Sequence, residues 1–229
     1  MLVAPTLHSV SGAPIVERVL EALAQGRLPP ATRLREESLA TLFHTNRAVV
    51  REALRDLAER GVVVILRNRG ATIASPTPEE AQQCYAARAL IEGAMAEELA
   101  SHITAADIRR LREHLARQRA TLAAGERREH LRLMGEFHQL LAALHGNAVL
   151  AEALDRLITR TSLMTALHPP DSQACAVDDH AALIDALAAG DAGLARRLAA
   201  DHLRGNHVRL RPATANPLPD KALGAALGL

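Results

Sequence analysis

Residues 46–66 read NRAVVREALRDLAERGVVVIL, and two periodicities lie side by side in them. Val50, Leu54 and Leu57 recur at i, i+4 and i+7, the spacing of one buried helix face. Gly61 closes the helix they define over Arg47–Arg60. Val62–Leu66 is β-branched and predicts a strand, Arg67–Gly70 is turn-like, and Ala71-Thr72-Ile73 returns as a second strand. Upstream, Pro14–Gly26 predicts a helix with Pro at its start, apolar Ile15, Val19, Leu20 and Leu23, and Gly at its end. Arg27–Arg35 is a loop broken by Pro29-Pro30. Glu36–Phe43 is a short helix whose two glutamates suit the positive end of its dipole, and His44-Thr45-Asn46 makes a tight turn. Three helices and a β-hairpin in about 65 residues describe a winged helix-turn-helix.

Beside the buried stripe of the third helix, Arg47, Arg51 and Arg55 form a row at i, i+4 and i+8. The planar guanidinium fork matches guanine O6/N7 or a phosphate, so such a row suits a major groove. Arg55 has Glu52 at i−3 and Glu59 at i+4, which favours an ion-paired, solvated face. Arg47 has Arg51 rather than a carboxylate at i+4, and there DNA is the better reading. Thr45 and Asn46 sit at the helix start, where either can cap the backbone or donate to phosphate, and capping is the expected role for one of them.

Of the 229 residues, 48% are hydrophobic and 23% charged, enough to bury a core. Aromatic residues make up 1%, which excludes aromatic-stacking RNA modules and argues against an all-β sandwich. Two cysteines without CxxC spacing give no disulfide framework. No apolar run approaches a membrane span, and Met1–Val10 lacks a basic start, so a cytoplasmic protein without membrane partners is expected. The net charge of +1 is uneven: ten arginines face seven acids through Ser75, and nine of the 11 histidines follow it. That pattern hints at nucleic acid in the first part and metal in the second.

The expected organisation is a DNA-binding domain over residues 1–75, a linker at 76–78, a helical domain over 79–211 and a flexible tail over 212–229. Helices are predicted near 79–101, 105–124, 127–145, 147–167, 174–189 and 191–210, and short loops make them an antiparallel six-helix bundle. The fold class is therefore mainly α. On the first bundle helix Cys84, Arg88, Ile91 and Met95 share a face, so Arg88 points into an apolar stripe and needs a carboxylate, from Glu92, another helix or a ligand. Met134, His138, Leu141 and His145 share a second face; Val177, His180, Ile184 and Leu187 share a third; His202 follows Leu198 by one turn. Three inward histidines on three helices either converge on one divalent metal, for which imidazole favours zinc or nickel, or are hydrogen-bonded core residues.

Four segments resemble, in correct order over residues 14–75, the N-terminal domain of GntR-family transcriptional regulators. They are Gly26-Arg27-Leu28-Pro29-Pro30, Leu34-Arg35-Glu36-Glu37-Ser38-Leu39-Ala40, Asn46-Arg47-Ala48-Val49-Val50-Arg51-Glu52-Ala53-Leu54 and Asn68-Arg69-Gly70-Ala71. The resemblance implies that Arg35, Arg47 and Arg51 contact DNA, and that Arg69 and Gly70 form a wing tip entering the minor groove. Ala31 and His44 stand where the family has glycine, a departure that bears on backbone strain. Phe137-His138, Gly146-Asn147, Asp179-His180 with Ala186 and Gly190-Asp191, and Ala200-Asp201-His202-Leu203 resemble, over residues 79–210, the FCD ligand-binding domain of the FadR-type branch. Six helices rather than seven look like its VanR-like subgroup. This resemblance implies a metal on His138, His180 and His202, with Met134 at the position of the family's Asp, and it puts Arg88 near the effector pocket.

The expected protein is a homodimeric, non-enzymatic regulator that binds a pseudo-palindromic DNA operator and responds to a small organic acid held near a metal. The alternatives are a metal-dependent hydrolase built on a three-His site and a pure metal-sensing repressor.

Overall fold

The computed structural model describes residues 12–67, 70–167, 174–209 and 216–229. The chain divides into two compact units. One takes the residues up to Leu23, Arg27–Ala74 and Ala215–Leu229; the other takes Ala24–Gly26 and Ser75–Thr214.

The first unit is built on α1 (Ala13–Ala24), α2 (Glu36–Leu42) and α3 (Arg47–Glu59). Ile15, Val19 and Leu23 of α1, Leu39 of α2, and Val50, Leu54 and Leu57 of α3 are all buried, as their helical spacing requires. Asn46 caps α3: its side chain accepts from the backbone N–H groups of Ala48 and Val49 at 2.9 and 3.1 Å. The hairpin expected from the β-branched run is β2 (Val63–Leu66) and β3 (Gly70–Ile73), with Val63 opposite Ile73 and Leu66 opposite Gly70.

A two-residue strand, β1 (Arg33–Leu34), pairs antiparallel with β3 and makes a three-stranded sheet of order β1-β3-β2. It lies in the segment expected to be loop. Gly70 has φ +82°, and a Cβ there would stand 2.5 Å from the Leu34 carbonyl oxygen. Glycine at 70 thus lets β1 close on β3.

Residues 216–229 correct the expectation of a flexible tail over 212–229. Asp220–Ala222 forms a 3₁₀ turn and α10 (Leu223–Leu227) follows it, with Leu223 and Leu227 fully buried in the first unit. The Pro-, Ala- and Gly-rich composition hid two leucines spaced i, i+4 on one helical face.

The second unit holds α4 (Pro78–Leu99), α5 (Ala105–Ala123), α6 (Arg127–His145), α7 (Ala148–Leu167), α8 (Ala174–Ala188) and α9 (Ala192–Arg209). Thr77 caps α4 by accepting from Glu80 N–H at 3.1 Å, with Pro78 in the first turn. Thr104 and Asp107 form a reciprocal capping box on α5. The helix α4 runs along α9 and also meets α6 and α7, while α5 packs on α6 and α8. One core cluster between them is aliphatic apart from Phe137 and includes Leu99, Leu111, Ile184, Leu187 and Ala195. Among the described residues, no helix is long and apolar enough to cross a membrane.

Candidate nucleic-acid face and metal centre

In the first unit an open cleft is lined by Arg35, Arg47, Arg51, Arg55 and Arg67 together with Glu36, Glu37 and Asp220. Arg47 and Arg51 project from the first turns of α3, each about half exposed, and both hold acids from α2: Arg47 with Glu37 at 3.3 Å, Arg51 with Glu36 at 2.9 Å. The third helix itself offers Arg47 no carboxylate, so these cross-helix partners escaped the sequence reading. Exposed pairs of this kind are worth about 0–1 kcal/mol, so a phosphate or a guanine edge can displace the acid. Arg35 faces Asp220 at 3.7 Å.

Of the two turn residues, Asn46 is the cap, and the Thr45 hydroxyl is shielded without a hydrogen-bond partner among the described residues. Gly70 is buried at the start of β3, which makes its part conformational rather than a contact. Arg69 lies outside the described residues. Ala31 and His44, the two residues at family glycine positions, have φ +59° and +49°.

In the second unit His138 from α6, His180 from α8 and His202 from α9 converge, with one ring nitrogen of each within 4.8 Å of the others and all three residues buried. Phe137 stacks on His180 with centroids 3.9 Å apart and fixes the plane of that imidazole. Each ring has a partner on Nδ1: Glu92 Oε2 on His138 at 2.5 Å, Gln118 Oε1 on His180 at 3.0 Å, and Asp179 Oδ2 on His202 at 3.1 Å. A carboxylate accepts only, so His138 and His202 donate from Nδ1. The Gln118 amide is oriented by its other end, whose N–H groups face the Leu133 carbonyl at 3.3 Å and His114 Nδ1 at 3.2 Å. Its oxygen therefore receives the His180 Nδ1 proton.

With Nδ1 engaged on each ring, Nε2 is the nitrogen left to coordinate. His180 Nε2 and His202 Nε2 stand 3.2 Å apart, and Asn206 Nδ2 donates to the latter at 3.1 Å. Burial holds His138 down to about 4, against the opposing pull of Glu92. Burial also keeps His180 well below its ordinary value, helped by His202 and His138. Burial alone would raise the Glu92 carboxyl, but Arg88 and His138 outweigh it and bring it to about 2. At neutral pH His138 and His180 are thus neutral imidazoles and Glu92 is an ionised carboxylate behind them, the donor chemistry a divalent cation takes.

Arg88 is buried, with Nε on Glu92 Oε1 at 2.7 Å and Nη1 on Thr161 Oγ1 at 2.6 Å. The internal partner weighed from sequence is therefore present. Its Nη2 is buried without a partner among the described residues. Met134, where the resemblance implies an Asp in the family, packs with the aliphatic core.

The sequence reading gave Glu92 to Arg88 alone and missed its bond to His138. It missed Gln118, Asp179 and Asn206 as well. Gln118 carried a signal, since it follows Leu111 and Leu115 at i+7 and i+3 on the buried stripe of α5, where a polar side chain needs a reason.

The model of the bacterial regulatory proteins of the gntR family matches residues 12–73, and that of the FCD domain matches residues 83–205. The chain belongs to the GntR family of transcriptional regulators, as a member with an FCD domain. It is 28% identical over 200 residues to the "Probable D-xylose utilization operon transcriptional repressor" of Paenarthrobacter nicotinovorans, covering 86% of each chain. It is 31% identical over 180 residues to the "Uncharacterized HTH-type transcriptional regulator in unstable DNA locus" of Streptomyces ambofaciens, covering 77% of this chain and 75% of the other. A GntR transcriptional regulator from Rhodococcus sp. RHA1 shares the fold with a TM-score of 0.70 at 23% identity, over 86% of this chain and 95% of that one.

Proposed function

We propose that this regulator binds a pseudo-palindromic operator as a homodimer, holds a divalent ion, zinc or nickel, on His138, His180 and His202, and changes its DNA affinity when a small carboxylate metabolite binds beside that ion. The observation that carries the reading is the convergence of one ring nitrogen from each of three buried histidines, every ring with a partner on Nδ1. The bound ion would supply a Lewis-acidic anchor for a carboxylate. Arg88 Nη2 offers a second anchor from the chain, since a buried guanidinium nitrogen without a partner is costly.

A dimer is proposed because one winged helix buries too little DNA surface for a specific site. The two relatives named above are described as a repressor and a regulator, which supports regulation over catalysis. A hydrolase would need a base free to activate water, and the carboxylates nearest the rings, Glu92 and Asp179, are engaged with His138 and His202. A metal-only sensor differs in using the ion itself as the switch.

Mobility shift on the DNA upstream of the protein's own coding sequence tests the reading. Arg47→Ala and Arg51→Ala should each weaken specific binding by about 1–3 kcal/mol. Affinities within about twofold of wild type for both would remove them from the interface.

A further inference from the structure

The C-terminal segment is built into the same unit as the basic cleft. Leu223 and Leu227 are 1% and 0% exposed. Leu218 N–H donates to Thr32 Oγ1 at 3.2 Å, and Arg27 Nη1 donates to the Ala226 carbonyl at 2.5 Å. These contacts pin the chain on both sides of Asp220. Its carboxylate accepts from Ser38 Oγ at 2.9 Å, lies 3.7 Å from Arg35 Nη1, and lines the cleft with Arg47 and Arg51.

A hydroxyl and a guanidinium meeting one anionic oxygen is the arrangement a DNA phosphate receives from a protein. We propose that the Asp220 carboxylate is an intramolecular stand-in for a DNA phosphate: it occupies Arg35 and Ser38 in the free regulator and lowers its affinity for duplex DNA. The proposal rests on the reading of Arg35 as a DNA contact.

Geometry makes Asp220 a competitor rather than a lock. The Arg35 and Asp220 side chains are 54% and 36% exposed, so water screens the pair and a phosphate can displace it. The backbone anchors and buried leucines do not depend on that pair, so the segment stays docked while the carboxylate yields. Glu36 and Glu37 hold Arg51 and Arg47 in the same way, but they belong to α2 and move with it. Asp220 comes from the far end of the chain, so the acid that sets Arg35 can vary without altering the helix-turn-helix.

The test is fluorescence anisotropy of the full-length chain with a mixed-sequence duplex of about 20 base pairs, titrated between about 50 and 200 mM salt. Asp220→Asn keeps the acceptor for Ser38 and removes the charge. It should bind about three- to tenfold tighter, with a slope of log affinity against log salt steeper by about one. Glu59→Gln removes the same charge from the exposed end of α3 and should change affinity by less than about twofold. In an Arg35→Ala background, Asp220→Asn should have no effect beyond about twofold. Unchanged or weaker binding by Asp220→Asn, or an equal gain from Glu59→Gln, would overturn the proposal while leaving the DNA reading intact. Failure of both wild type and Asp220→Asn to bind any duplex would overturn the DNA reading, and this proposal with it.

Discussion

Ala31 and His44 each hold a left-handed backbone with a side chain in place, at φ +59° and +49°. Such a conformation costs an L-residue roughly 1 kcal/mol, which glycine does not incur. Ala31→Gly and His44→Gly should therefore each be neutral to stabilising by up to about 1 kcal/mol in chemical denaturation, against the usual loss on replacing a residue by glycine. A loss above about 1 kcal/mol at both would show that the side chains compensate for the strain. Arg88 poses a different residue-scale question, because its guanidinium serves Glu92 and Thr161 while Nη2 remains unmatched. Removing it strands an ionised carboxylate, so Arg88→Ala should cost about 3–5 kcal/mol. Arg88→Lys keeps a cation opposite Glu92 but loses the fork, and should retain most of the stability. In thermal-shift screening, small carboxylic acids that raise the wild-type melting temperature should not raise that of Arg88→Lys; an equal rise would take Arg88 out of the effector site. At this scale sequence is legible where spacing speaks, as for the inward histidines. It is silent where partners come from another element, as for Glu37 on Arg47 or Asp179 on His202.

Helices are the elements that periodicity exposes best, because caps and apolar stripes are local. Thr77, Thr104 and Asn46 cap where their residue types suggest. The strand β1 escapes the same logic: two residues, Arg33 and Leu34, carry no period, and their pairing partner lies on the far side of three other elements. Tertiary contact creates that strand. The helix α10 escapes because five residues, closed by Gly228 but without a side-chain N-cap, cannot nucleate alone; burial of Leu223 and Leu227 stabilises them. The helix α6 carries both the buried His138 and, one turn earlier, Met134. Met134→Asp would put a carboxylate at i−4 on the same face, completing a four-residue ligand set. Chelator competition should then show tighter zinc binding than in wild type. Looser binding would mean that position 134 does not reach the centre.

The molecule as a whole carries a basic cleft in its winged-helix unit and three converging, buried imidazoles in its helical unit. Composition made the helical majority legible, while the DNA-binding class came from the arginine row on the third helix and from the resemblance of residues 14–75 to the GntR family. The supporting shell around the histidines was not legible, because Glu92, Gln118 and Asp179 come from three helices that only folding brings together. The central claim is that this shell exists to hold a cation. Metal analysis of the untagged full-length protein, set beside His180→Ala, addresses it most directly. The account predicts one zinc or nickel ion per chain in wild type and a loss of most of it in the variant, with the fold retained by circular dichroism. Equal metal content in the two proteins, or none in wild type after equilibration with zinc, would contradict it.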